Sequence, residues 1–437
     1  MTAEVTGTTR RGPAPRIRIV GIADTDSYVK WTAALVGSAP EHWNRSMRIL
    51  DTPLAVSADQ QRAALATSGL PGGAVARVGL DRLRRSLLDD PPDVVVLGAR
   101  GPLVRVLARL LADLPARPVI VTGLPGISIP ATRKALIYRR GADLFVVHSH
   151  RERTEFAALS VRTGIRHRFA LATLPFAKAA ERARDRRHDA DATDVVFATQ
   201  AVVPRERPDR LRLAEMLRRL ALADSSRRVV VKLRAAEGEH QTHVERDSFP
   251  DLLRSLGATP ENLVVSTEPM QSALDHARGL VTISSTAAIE AIARGIPVLA
   301  LDTFGVSPAL INVVFEGSGV LGGEDDLLAG RFRLPTPQWS RENYLHDGAD
   351  DDWVADVERL VGLRRQGLLA EPVLHTGRGG RLRLAWERKT VLGPMDRTPA
   401  GRLAVVVGVP ARAVVRTVQR ARRRVQVSRS AGPMSSR

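Results

Sequence analysis

The feature that most constrains the fold of this chain is a regular alternation of short apolar segments with amphipathic ones. The short segments are rich in Val, Ile and Leu and are bounded by Gly, Pro or Asp. This pattern is typical of parallel strands buried on both faces of a sheet. Strands that alternate with helices predict an α/β architecture, in which helices cover both sides of a parallel sheet.

The alternation occurs in two series. The first predicts strands at Arg16–Ile22, Met47–Leu50, Asp93–Gly98, Pro118–Thr122 and Leu144–His148, with a helix over Leu103–Leu114 among them. The second predicts strands at Asp194–Ala198, Arg228–Leu233, Leu263–Ser266, Gly279–Ile283 and Pro297–Leu301, with helices over Asp209–Ala223, Ser272–His276 and Thr286–Arg294.

Between the two series, Lys178–Thr193 is charged and has neither aromatic residues nor a strand pattern, which predicts a linker. The predicted organisation is a disordered N-terminus (1–15), a first Rossmann-like domain (16–177), the linker (178–193), a second Rossmann-like domain (194–370) and a basic helical tail (371–437). Two doubly wound sheets of this kind imply a cleft, and ligands bind beyond the carboxyl ends of the strands.

The charge of the chain belongs mainly to its tail. The net charge is +18, and residues 376–437 carry 15 Lys or Arg against two acids, which leaves +5 for the rest. A nucleic-acid enzyme usually has a basic face on its folded body, and single-strand binding uses aromatic side chains, of which there are 17. We therefore expect no nucleic-acid partner.

After residue 350, a helix is predicted at Asp351–Arg365, at the end of the second domain, and another at Arg378–Leu392 in the tail. A third, at Ala411–Val427, is basic and amphipathic. The third helix either lies on an anionic membrane surface or packs on the fold with its arginines facing water. No apolar run approaches the roughly 20 residues of a membrane span, and Met1–Pro15 lacks an apolar signal region. The expectation is a cytoplasmic protein, with docking at the inner face of the membrane left open.

The segment Gly279–Leu301 carries the most chemistry. Ser284, Ser285 and Thr286 lie at a predicted turn from a strand into a helix, where hydroxyls and free backbone N–H groups suit a phosphate. Glu290 follows one helical turn later and suits a ribose or sugar hydroxyl. In the alternative interpretation, Ser285 only caps the helix and Glu290 is a surface acid.

This turn, followed by Glu-Ala and by Gly-Ile-Pro-Val entering a strand, resembles the donor-nucleotide half of glycosyltransferases with the GT-B fold. Together with ADTDSYVKW at 23–31 and VVVKLRAAEGEHQTH at 229–243, it makes residues 16–370 similar to a family of bacterial glycosyltransferases of uncharacterised activity. The resemblance implies two Rossmann-like domains. It also implies metal-independent transfer of a sugar from a nucleotide sugar to a hydroxyl of a cell-envelope or polyprenyl-linked acceptor, with no cofactor besides that co-substrate.

For the first domain, the resemblance implies an acceptor site with a catalytic base in the loop after the first strand. Asp26 is the first candidate for this base and Asp24 the second. Lys30 and the glycines of the 123–128 loop, Gly123 and Gly126, are expected on the acceptor side.

For the second domain, the resemblance implies donor contacts from Gln200, Lys232 and Arg234, besides the Ser-Ser-Thr turn and Glu290. Related transferases often carry a Lys-x-His-Pro element where this chain has Lys-Leu-Arg-Ala, so only the two basic residues carry over. They would stabilise the negative charge on the leaving group.

Several alternatives remain open at this point. His240 and His243 lack a third ligand, so no metal site is predicted. A teichoic-acid-type glycerophosphotransferase shares the fold and many residue types. A nucleotide-sugar epimerase gives the basic tail no role, and a non-catalytic two-lobed sugar or nucleotide binder would not need Asp26.

Overall fold

The computed structural model describes residues 16–54, 56–66, 68–174, 177, 192–233, 247–374 and 380–408. The predicted N-terminal disorder at 1–15, most of the linker, Arg234, His240, His243 and the predicted helix at 411–427 lie outside the described residues.

The first half of the chain forms a parallel sheet of seven strands in the order β3-β2-β1-β4-β5-β6-β7. Its strands are β1 (Arg18–Ala23), β2 (Asn44–Leu50), β3 (Val75–Val78), β4 (Val94–Gly98), β5 (Val119–Gly123), β6 (Leu144–Val147) and β7 (Phe169–Leu171). The helices are α1 (Asp26–Gly37), α2 (Ala58–Leu65), α3 (Leu80–Asp89), α4 (Gly101–Ala112), α5 (Arg133–Arg139) and α6 (His150–Thr163). The central strands β4, β5 and β6 are buried along their whole length, as their apolar runs predict.

The second half forms a parallel sheet of six strands in the order β10-β9-β8-β11-β12-β13. Its strands are β8 (Asp194–Ala198), β9 (Val229–Lys232), β10 (Leu263–Ser266), β11 (Ala277–Thr282), β12 (Val298–Leu301) and β13 (Leu321–Gly322). Its helices are α7 (Arg207–Ala223), α8 (Phe249–Ser255), α9 (Met270–Asp275), α10 (Ala287–Ala293), α11 (Glu324–Leu328) and α12 (Pro337–Glu342). The predicted fold class of two doubly wound parallel-sheet domains is confirmed.

Three strands at the sides of the sheets were not predicted: β3, β7 and β13. The first exposes Ala76 and Arg77, and the other two have only three and two residues. A short or half-exposed strand lacks the apolar run that marks a strand buried on both faces.

After the second sheet, the chain returns to the first. Helix α13 (Trp353–Arg365) buries Trp353, Val357 and Val361 in the core of the first sheet, and Arg364 pairs with Asp93 at 3.1 Å. Helix α14 (Gly380–Leu392) packs on α4 through Val391 and Leu392. Helices α13 and α14, which follow the second sheet in sequence, therefore belong to the first domain in space.

None of the helices in the described part of the chain combines the length and the apolar character that crossing a membrane requires.

Candidate functional site

Each sheet has a position where the strand order reverses, and the loops at the carboxyl ends of the strands separate there. In the first sheet this switch point lies between β1 and β4, and in the second between β8 and β11. Such a crevice is the usual ligand site of an open α/β sheet. Asp24 and Asp26 follow β1, while Gln200 follows β8 and Ser284 follows β11.

In the second domain, Gln200 and Ser284 join the two sides of the switch point. The amide Nε2 of Gln200 donates to Ser284 Oγ at 2.9 Å, and the backbone N–H of Ser284 donates to Gln200 Oε1 at 2.9 Å. One side-chain amide thus bridges the loops after β8 and β11. Two residues predicted from separate segments are brought together, and they set the shape of the crevice floor.

The side chains of the 284–286 turn have different surroundings. Ser285 Oγ accepts the backbone N–H of Ala287 at 3.2 Å, so this hydroxyl binds the start of its own short helix. Thr286 is half-buried and faces the first domain, because a Cβ added to Gly126 would overlap Thr286 Oγ1. Thr286 is therefore the hydroxyl of this turn that lies between the two domains.

Glu290 is not a surface acid, because it is only 4% exposed. Its Oε1 accepts no hydrogen bond, and Arg294 Nη2 lies 3.6 Å from this oxygen, beyond hydrogen-bonding distance. A buried carboxylate oxygen without a donor costs free energy, which a hydroxyl donor from a ligand would offset.

Lys232 ends β9 beside the same crevice and is 5% exposed. Its backbone carbonyl accepts both the N–H of Thr199 at 3.1 Å and the Thr199 hydroxyl at 2.9 Å, and its Nζ donates to the carbonyl of Leu233. Since Thr199 precedes Gln200, the ends of β8 and β9 are held together immediately below the Gln200–Ser284 bridge.

In the first domain, the two aspartates after β1 differ in their surroundings. Asp24 is fully buried; its Oδ2 lies 3.0 Å from Arg100 Nε, and its Oδ1 accepts the backbone N–H of Arg100 at 3.4 Å. Burial raises the pKa of Asp24 above its ordinary value, although Arg100 acts in the opposite direction. Asp26 begins α1 and is half-buried, and Lys30 lies one turn further along the helix.

The rest of the ADTDSYVKW motif anchors α1 on the sheet. A Cβ at Gly98 would overlap Thr32, and a Cβ at Gly123 would overlap the Trp31 ring, so these glycines let α1 lie close to β4 and β5. Gly123 therefore serves packing. The indole Nε1 of Trp31 donates to His148 Nε2 at 2.7 Å, so His148 Nδ1 carries the proton and donates to the carbonyl of Ala172 at 2.7 Å. Burial lowers the pKa of His148, which keeps the ring neutral.

The loop 123–128 crosses from the first domain to the second. Gly126 has a φ of +83°, a conformation that suits glycine, and lies against Thr286. Ile129 packs in the core of the second domain. Gly126, expected on the acceptor side, and Thr286, expected on the donor side, therefore meet at the boundary between the domains.

A buried junction around Glu152 holds this loop in place. Glu152 Oε1 accepts the N–H and the hydroxyl of Ser128 at 2.9 and 2.7 Å and the hydroxyl of Tyr344 at 2.6 Å, while Oε2 accepts the N–H of His148 at 2.8 Å. Tyr344 follows the second sheet in the chain and has a φ of +61°. Its pKa is well above the ordinary value because of burial and the nearby Glu152, so its hydroxyl stays protonated and donates.

Sequence reasoning missed Arg100, Arg139, Glu152 and Tyr344. Arg100 could have been predicted from the sequence, because it follows β4 at the same sheet edge as Asp24. The other three lie on helices or in a loop and have no local signal. In the described part of the chain, no three histidine or acidic side chains are grouped in a way that could hold a metal ion.

Comparison with known proteins places the chain in a family. The profile of the family described as "Putative glycosyltransferase (DUF6716)" matches residues 19–360, so the protein belongs to this glycosyltransferase family. None of the curated proteins matches the sequence.

Among solved structures, the UDP-GlcNAc 2-epimerase from Methanocaldococcus jannaschii in complex with UDP-GlcNAc and UDP is similar, with a TM-score of 0.54 and 13% identity over 80% of this chain and 100% of that one. The S. aureus MnaA structure with UDP has a TM-score of 0.52 and 13% identity over 83% of this chain and 100% of that one. These likenesses establish the arrangement of two Rossmann-like domains that glycosyltransferases of the GT-B fold share with such epimerases.

Proposed function

We propose that the protein transfers a sugar from a nucleotide sugar, bound at the switch point of the second domain, to a hydroxyl of an acceptor bound at the first domain. UDP is the first nucleotide to test, because both similar structures contain UDP. The proposed acceptor is a cell-envelope or polyprenyl-linked glycan, and no metal takes part.

The observation that carries the donor site is the buried Oε1 of Glu290, which accepts no hydrogen bond although it forms an ion pair with Arg294 at 3.6 Å. A ribose diol offers two hydroxyl donors, and a carboxylate accepts them strongly in a site that excludes water. Thr286, half-buried at the domain boundary, supplies a hydroxyl toward the phosphates. Gln200 and Ser284 act on the donor by fixing the crevice floor, since each already binds the other.

Asp26 is the proposed base. Asp24 holds Arg100 and is fully buried, whereas Asp26 lies at the start of α1 with part of its side chain accessible. A carboxylate within hydrogen-bonding reach of the acceptor hydroxyl would take up its proton as the bond to the sugar forms. The nucleoside diphosphate leaves at the same time, and the cationic Lys232 at the end of β9 would stabilise its developing charge, with Arg234 as its proposed companion.

A ligand panel tests the donor site. Purified protein is titrated calorimetrically with UDP, GDP, CDP and dTDP and with their sugar conjugates. One nucleotide is expected to bind, and Glu290→Ala should weaken that binding about tenfold by removing a charge-assisted hydrogen bond. Glu261→Ala, an exposed acid of the same domain, is the matched control and should bind as wild type does. Equal affinity of wild type and Glu290→Ala would place the nucleotide elsewhere.

The similarity to 2-epimerases makes epimerisation the second candidate. Incubation with UDP-GlcNAc alone, followed by NMR of the anomeric protons, separates the two activities. A transferase leaves the sugar configuration unchanged until an acceptor is supplied, whereas an epimerase produces the 2-epimer without one.

A further inference from the structure

Two arginines that the proposed transfer does not yet use meet at the carboxyl edge of the first sheet. Arg100 follows β4, and its side chain is 33% exposed. Its Nε and its backbone N–H are directed to Asp24. Within the described residues, its two terminal nitrogens, Nη1 and Nη2, make no hydrogen bond.

Arg139 is only 2% exposed. Its Nε donates to the carbonyl of Gly123 at 3.1 Å, and its Nη2 donates to the hydroxyl of Tyr28 at 2.9 Å and to the carbonyl of Ala99 at 3.3 Å. These partners are all neutral oxygens, and in the described part of the chain Nη1 makes no hydrogen bond and no carboxylate lies within 4.0 Å.

The two side chains belong to one cluster. Ala99, which binds Arg139, is the residue before Arg100, and Tyr28, which also binds Arg139, lies four residues after Asp24. The charges of Arg100, Arg139 and Asp24 all act on the Tyr28 hydroxyl, so these three side chains together have one positive charge in excess.

Besides these oxygens, the Arg139 guanidinium lies 5.7 Å from the centroid of the Phe145 ring. A buried guanidinium without a counter-charge is costly, because it has lost water without gaining an opposite charge. An anion at this position would offset that cost. Guanidinium groups suit phosphate in particular, since their planar N–H forks match two phosphate oxygens.

We infer that Arg100 and Arg139 bind a phosphate group carried by the acceptor. This inference rests on the proposed function and adds to it the chemical class of the acceptor. The phosphate would bind beside the β1 and β4 loops, so that the acceptor hydroxyl could reach Asp26 at the start of α1. No bond to the phosphate forms or breaks in this role, which is recognition only.

Binding of simple phosphate compounds tests the inference. The protein is titrated at constant ionic strength with inorganic phosphate, glucose 6-phosphate, farnesyl monophosphate and, as the uncharged control, farnesol. The three phosphates should bind and farnesol should not. Tighter binding of farnesyl monophosphate would indicate a lipid-linked acceptor, and tighter binding of glucose 6-phosphate a soluble phosphorylated one; both outcomes support the phosphate site.

Arg100→Met and Arg139→Met should each weaken phosphate binding about tenfold or more. Arg133→Met is the matched control, because it removes the same charge from an exposed position of α5. Arg139→Lys keeps the charge but loses the planar fork and should lie between wild type and Arg139→Met. Melting temperatures are recorded for every variant. Should Arg139→Met fail to fold, Arg100→Met and Arg139→Lys decide the outcome.

Binding of nucleotides and of phosphate compounds to the same variants distinguishes failure of the proposed donor site from failure of the phosphate site. Glu290→Ala should lose nucleotide affinity and keep phosphate affinity, and Arg100→Met should do the reverse. If the wild type binds a nucleotide but no phosphate compound, or if folded Arg100→Met and Arg139→Lys bind phosphate as the wild type does, the phosphate site is overturned while the donor site stands. If nothing binds, both are overturned.

Discussion

Glu152 and Glu290 are both buried carboxylates near the carboxyl edge of a parallel sheet, one in each domain, and their surroundings differ. Glu152 accepts four hydrogen bonds, which tie the β6 end, the 123–128 loop and Tyr344 together. Glu290 keeps one oxygen without any donor. The fold satisfies the first carboxylate with hydrogen bonds, whereas Oε1 of the second has an ion pair with Arg294 at 3.6 Å and no hydrogen bond.

The same contrast extends along the two edges. The first edge is held by charged and aromatic groups, among them Asp24 with Arg100 and His148 with Trp31, whereas the second is joined by the neutral pair Gln200 and Ser284. Burial alone therefore does not distinguish a structural polar group from a binding one. The distinguishing property is whether the protein itself satisfies the group.

Replacing each carboxylate by leucine tests this comparison most strongly. Glu152→Leu removes four buried hydrogen bonds, and we expect it to lower the free energy of unfolding by about 4 kcal/mol. Glu290→Leu should lower it less, by about 2 kcal/mol, because no hydrogen bond to Oε1 is lost and Arg294, the ion-pair partner of Glu290 at 3.6 Å, keeps its pair with Asp275. Urea denaturation monitored by tryptophan fluorescence measures both, and losses of similar size would remove the distinction.

Acid should weaken the first domain through its buried histidines. Burial lowers the pKa of His148, and it lowers the pKa of His167 from 6.5 to about 4. As the pH falls below 6.5, these residues bind protons in the unfolded chain but not in the folded one, so unfolding becomes easier. His167 alone should lower the free energy of unfolding by up to about 3 kcal/mol between pH 6.5 and 4.

Denaturation at a series of pH values checks this slope. His167→Gln should flatten it, because glutamine does not titrate and can still donate to the Leu136 carbonyl that His167 binds. His276→Gln, at an exposed histidine of the second domain, is the control for replacing a histidine that is not buried.

Kinetics can distinguish a structural from a catalytic carboxylate at the carboxyl edge of the first sheet, where Asp24 and Asp26 lie. Asp26→Asn should lower kcat about 100-fold, because the amide cannot take up the acceptor proton. Its melting temperature should stay near that of the wild type. Asp24→Asn should lower the melting temperature, since it leaves Arg100 without its buried counter-charge. Steady-state kinetics with the acceptor and thermal denaturation of both variants separate the roles, and the reverse assignment would make Asp24 the base.

The smallest expected effect is at the contact between the edges. Gly126→Ala adds a Cβ at a φ of +83° and against Thr286, which should lower the free energy of unfolding by about 1 kcal/mol and push the two loops apart. Gly164→Ala, at a φ of +63° with no atom within 4 Å of the added Cβ, is the control for the backbone cost alone. A larger loss at Gly126 than at Gly164 would measure the contact with Thr286.

Much of the fold could be predicted from local pattern. The apolar runs located ten strands, and the helices from 209 to 223, 286 to 294 and 351 to 365 were placed within two residues of their observed ends. These elements are buried, so their periodicity records which face meets the core. The packing of α13 on the first sheet could not be predicted from the sequence, because its amphipathic face would suit either domain.

The candidate site divides in the same way. The hydroxyls after β11, the glutamine after β8 and the aspartates after β1 follow from the rule that ligand loops lie at the carboxyl ends of parallel strands. Their roles stay predictions until the variants are measured. The sequence could not show which of these side chains already have a hydrogen-bond partner in the protein. Ser285 accepts the N–H of Ala287, Asp24 accepts from Arg100, and Gln200 donates to Ser284.

Residue type and spacing therefore establish two parallel sheets and the loops in which chemistry can occur, because both depend on contacts between near neighbours in the chain. The partners of each buried polar group depend on residues as far apart as Glu152 and Tyr344 or Asp24 and Arg100, which only the tertiary structure brings together. Since the cost of a buried charge is set by those partners, only the folded structure shows that Glu152 accepts four hydrogen bonds, that Oε1 of Glu290 accepts none and that Arg139 has no carboxylate partner among the described residues.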